Sequence, residues 1–227
     1  MSFLLYLPFW LFAILAIVIR AVPSIEVKTP ILAIIKAIPG ILAVLVIFLE
    51  YPTPDLFHIL LMIALIFCAL GDFSIEFALI AGLGMFLISH IFYSINYFWQ
   101  AWLGEIPLLA WAAFAVSFIG LLIYAFYLVR YLQTSTEIET PPAMFTAVKV
   151  YAIVLSLTLC TSLMLWVATN AFLGWVPVLG ALLFLISDSL IGIKEFHHEF
   201  AHQDFLILIT YYAAIFLLSL TAFIYIV

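Results

Sequence analysis

Eight stretches of this chain stay apolar for nearly as long as a helix needs to cross a bilayer, and no other feature limits the fold as tightly. They run over about residues 3–20, 31–49, 56–73, 77–98, 106–130, 146–168, 175–194 and 205–226, with limits set by Pro, Gly and charge. At about 1.5 Å of rise per residue each suits a hydrocarbon core about 30 Å thick, whereas barrel strands would be half as long and alternate in polarity. The chain is therefore expected to be all-α, a polytopic membrane bundle of eight transmembrane helices forming one domain over 1–227. Phe3 to Ile19 lacks a basic start and a small-x-small cleavage site, so it reads as a retained first span. Apolar residues make up 69% of the sequence, more than a soluble core of this length can hide.

Charge is scarce and its placement informative. The net charge of −6 with only six cations argues against a nucleic-acid partner, which needs a basic face to neutralise phosphates. Arg20, Lys28, Lys36, Arg130, Lys149 and Lys194 all lie in or beside the first, third, fifth and seventh connections, while the even ones offer Glu50, Asp55 and Glu105. The positive-inside rule then puts the odd connections in the cytoplasm and both termini on the other side. Cys68 and Cys160 sit inside apolar runs, where a disulfide framework is not expected.

Ionisable residues inside the runs are the candidates for function, because a buried charge costs roughly 3 kcal/mol even on lenient insertion scales. Phe67 to Phe98 carries Asp72, Glu76 and His90; helix counting separates them. Asp72 ends the third span near the cytoplasmic face, Asp188 lies about two turns inside the end of the seventh, and Lys36 about two turns into the second. Tyr151, Tyr211 and Tyr212 fall in the same layer. Glu76 reads as an interfacial turn residue, and His90 lies roughly 20 Å along the fourth span, too deep for contact with Asp72. Bland readings exist for each: a snorkelling Lys36, a His90 bonded to a neighbouring helix, belt tyrosines. LIFCALGDFSI and LLFLISDSLI form a faint internal echo that places the two aspartates at similar depth.

His198-Glu199-Phe200-Ala201-His202 matches H-E-x-x-H, a zinc motif when it lies on a helix. Here it falls in a short polar connection and lacks an evident third ligand. A solvated juxtamembrane loop is the simpler reading, so no metal is assigned. The sequence has no Gly-rich phosphate loop, G-x-S-x-G elbow or C-x-x-C pair, and nothing demands a nucleotide, haem or other cofactor.

Lys36–Pro39 (KAIP), LGDF around Asp72, AGLGMFLISHIFY from Ala81 to Tyr93, GALLFLISDSLI around Asp188 and TYYAA from Thr210 fall in order over almost the whole chain. Together they resemble the YhhN family of integral membrane lysoplasmalogenases, although Ile215 stands where the family often has Gln and the His-rich loop lies outside the pattern. The resemblance implies hydrolysis of the vinyl ether bond of a lysoplasmalogen, a lysophospholipid, to a fatty aldehyde and a glycerophospho-ethanolamine or glycerophosphocholine. It also implies residence in a bacterial inner membrane or a eukaryotic endomembrane.

A vinyl ether hydrolyses once its β-carbon is protonated, so one carboxyl that holds its proton and one that has lost it are sufficient. Asp72 and Asp188 are the candidate pair, in either order. Lys36, with Lys194, would meet the lipid phosphate; Ser187, Tyr211 and Tyr212 would orient water or the glycerol hydroxyl; His90 and Tyr93 would line or brace the cavity. Two other classes stay open: a transporter using the intramembrane Asp and Lys, and a non-enzymatic lipid-binding or scaffolding protein in which the aspartates hold helices together.

Overall fold

A computed structural model describes residues 3–22 and 24–225. Among them are eight α-helices: α1 (Leu7–Ala21), α2 (Thr29–Glu50), α3 (Leu56–Ile75), α4 (Leu79–Trp102), α5 (Leu108–Leu132), α6 (Pro142–Thr169), α7 (Trp175–Phe196) and α8 (Gln203–Ser219), with short 3-10 turns before α1 and after α8. All eight, the first and last counted with those turns, are long and apolar enough to cross a membrane, as expected of an integral multi-pass protein. Their ends are set locally. Asp55 caps α3 by accepting from the His58 backbone N–H at 2.9 Å, and Pro142 begins α6, where the missing N–H costs nothing. Asn170 closes α6 in the left-handed region.

Contacts run α1–α2–α3–α4–α6–α7–α8 and return from α8 to α1, closing a ring. α5 packs outside it, mainly on α6, and only Ala110, Val129 and Leu132 of its 25 residues are buried. α8 is the most enclosed helix, touching α1, α2, α3 and α7.

Small residues let the backbones approach where the site will form. A Cβ on Gly71 would stand 2.7 Å from the Phe86 ring, and one on Gly180 would stand 3.0 Å from Leu218, so α3 lies close on α4 and α7 close on α8. Pro39 inside α2 removes the N–H that would bond the Ile35 carbonyl. The adjoining Lys36 carbonyl accepts from Tyr212 Oη at 3.2 Å, which ties α2 to α8.

Candidate functional site

Two aspartate–tyrosine pairs form the centre of the candidate site. Asp72, in the last turn of α3, is 3% exposed, and its Oδ2 accepts from Tyr211 Oη of α8 at 2.7 Å. Asp188, on α7, accepts from Tyr151 Oη of α6 at 2.5 Å. Four helices thus deliver two carboxyls, each held by a phenol. Lys36, Glu76 and Asp188 all lie within electrostatic reach of the Asp72 carboxyl. Phe184 bridges the two halves: its ring is 5.4 Å from that of Tyr211 and 4.4 Å from that of His90.

The sequence-predicted residues divide into those that face this centre and those that brace it. His90 is fully buried, with Nδ1 3.1 Å from Thr158 Oγ1 and its ring 6.0 Å from that of Tyr151. It stands behind Phe184 and contacts neither carboxyl. Tyr93 is also fully buried, its ring stacked on Tyr97. Ser187 donates to the Ile207 carbonyl at 3.0 Å, and Tyr212 to that of Lys36. Both hydroxyl protons therefore go to backbone, where they fasten α8.

Glu76 differs most from its reading as a turn residue. It does cap α3, but its side chain is only 6% exposed and its Oε1 takes the Lys36 ammonium at 2.7 Å, while Arg20 reaches Oε2 at 3.4 Å. Lys194 is likewise paired, with Asp204 at 2.9 Å. Lys36 and Lys194 are thus partnered and not bare cations, Lys36 sharing Glu76 with Arg20. Neither partner is visible from sequence, because each pair joins different helices.

These pairs line the first of three cavities that share residues in series, while another of about 50 Å³ between α5, α6 and α7 also meets Asp188 and Tyr151. The vestibule, about 110 Å³, is bounded by Arg20, Lys36, Glu76, Lys194 and Asp204, with Ile207 and Leu208 one turn before Tyr211 and Tyr212. Leu79 and Ile191 are shared with a second cavity of about 40 Å³ that contains Asp188 and Tyr151. Leu83 and Tyr151 are shared in turn with a third, about 440 Å³, an apolar cleft between α4 and the start of α6. A polar mouth, an acidic waist and an apolar cleft therefore adjoin in series.

The H-E-x-x-H segment is not helical: α7 ends at Phe196 and α8 begins at Gln203. His197 stacks on Tyr131 at 4.1 Å, its carbonyl accepting from Ser135 Oγ at 2.7 Å, so this loop docks on the end of α5. Among the described residues no three His, Cys, Asp or Glu side chains converge as metal ligands.

A sequence model of the YhhN family matches residues 31–222, nearly the whole chain and every element that builds the two Asp–Tyr pairs. The chain belongs to the YhhN family. No curated protein and no solved structure matches it. YhhN membership supports a lysoplasmalogenase-like function at the level of the family, and the polar helix ends around Asp72 and Asp188 lie within the matched region.

Proposed function

We propose that this YhhN protein is a lysoplasmalogenase-like hydrolase that cleaves the vinyl ether bond of a lysoplasmalogen by carboxyl acid–base catalysis. The observation that carries the reading is the series of cavities. An amphiphile with a zwitterionic head and one chain has the same order of polarity: the head meets the paired charges of the vestibule, the ether linkage meets Asp188, and the alkenyl chain occupies the apolar cleft. Asp188 lines the waist, so it is assigned the proton donation to the β-carbon, which gives an oxocarbenium ion. Asp72, with the Lys36 ammonium within electrostatic reach, carries the negative charge. Water adds to the cationic carbon and gives up a proton to the Asp188 carboxylate, which restores the acid while Asp72 stays ionised. The hemiacetal then collapses to aldehyde and the glycerol hydroxyl, consuming one water in total. Tyr151 and Tyr211 hold the carboxyls in position, and Arg20, Lys36 and Lys194 with their acidic partners receive the headgroup. The clustering of cations around the mouth further supports a cytoplasmic orientation for it, with both termini on the opposite side.

Incubating the purified chain with a lysoplasmalogen should release fatty aldehyde. Asp188→Asn and Asp72→Asn should each lower turnover by about a hundredfold or more, the usual contribution of a positioned acid or base. Near-normal turnover in both folded variants would overturn the carboxyl mechanism. No aldehyde from the wild-type chain would overturn the hydrolase reading and leave the transporter and scaffold classes.

A further inference from the structure

We propose that the outer groove between α5 and α6, which shares no lining residue with the vestibule or the apolar cleft, is a binding site for an anionic phospholipid. The groove encloses about 410 Å³. Leu122, Ala125, Phe126 and Ile153 form an apolar wall, and Arg130, Gln133 and Lys149 gather at one end. From Leu122 to Gln133 the wall is about 16 Å long at helical rise, close to the acyl depth of one leaflet. The polar end lies where α5 finishes and α6 begins, the membrane level at which a headgroup sits.

Charge decides the occupant. In a chain of net charge −6, Arg20 and Lys36 share the Glu76 carboxylate and Lys194 pairs with Asp204. Of the three cations with no carboxylate within ion-pair distance among the described residues, Lys28, Arg130 and Lys149, the last two both line this groove. Arg130 is set there by its own helix, its guanidinium 5.4 Å from the Phe126 ring one turn earlier. Two uncompensated cations above an apolar trough complement a lipid with net negative charge at its phosphate, and basic pockets between spans hold such headgroups. A zwitterionic lipid brings its own cation and gains less.

Native mass spectrometry of the full chain, titrated with phosphatidylglycerol or with phosphatidylcholine of the same acyl chains, tests this. Each juxtamembrane cation favours an anionic lipid by about fivefold, so phosphatidylglycerol should bind about thirtyfold more tightly. Arg130→Gln with Lys149→Gln, which keeps side-chain length, should abolish the preference. Ile153→Trp should weaken phosphatidylglycerol binding by filling the groove while both cations remain. Equal affinity for the two lipids, a preference that survives in the double variant, or equal competition by inorganic phosphate would each overturn the proposal. None of these readouts depends on ether hydrolysis.

Discussion

At the scale of single residues, the two aspartates stood out in the sequence while the groups that hold them did not. A carboxyl in an apolar run is conspicuous because it is costly there. A tyrosine in the same run is not, since interfacial belts and packed cores use it freely, and Tyr151 and Tyr211 acquire meaning only from the helices they face. The Lys36–Glu76 pair was hidden for a similar reason: its members are 40 residues apart, and their meeting depends on how closely α2 lies on α3, where Gly40 opposes Ala69. The phenols can be tested apart from the acids. Tyr151→Phe and Tyr211→Phe each remove one hydrogen bond to a carboxyl, so kcat should fall about tenfold to a hundredfold while KM changes little. Unchanged kcat in both variants would assign the tyrosines to packing alone.

At the scale of elements, run length and the position of Pro and Gly located all eight helices to within a few residues at most ends, α6 starting about one turn before its expected limit. Which helix lies inside was not legible, because a run that is apolar on every side reads alike whether protein or lipid surrounds it. α5 and α8 have similar sequences in this respect and opposite fates, one outside the ring and the other enclosed by four neighbours. Substitutions should separate them. Gly71→Ala presses a methyl against the Phe86 ring and should destabilise the fold by about 1–3 kcal/mol in thermal unfolding. Val116→Leu on the outer face of α5, 72% exposed, should stay within about 0.5 kcal/mol.

At the scale of the whole molecule, the cations, the vestibule and the parts of α3 and α7 that carry Asp72 and Asp188 all lie toward one end of the bundle. Reporter fusions should therefore place a C-terminal tag outside the cytoplasm, and a cysteine introduced at Thr136 in the α5–α6 connection should react with an impermeant thiol reagent only after the membrane is opened from the cytoplasmic side. The reverse pattern would turn the vestibule outward. The ring also has a consequence for how the protein is made. A nascent chain that has reached Phe196 already contains Asp72, Asp188, Lys36 and Glu76, but not Tyr211, not the Ile207 carbonyl that fastens Ser187, and not Tyr212. α8 is the helix that shuts the ring, so before it docks the Asp188–Tyr151 and Lys36–Glu76 pairs can already form, whereas Asp72 lacks its phenol and Ser187 its carbonyl until that step.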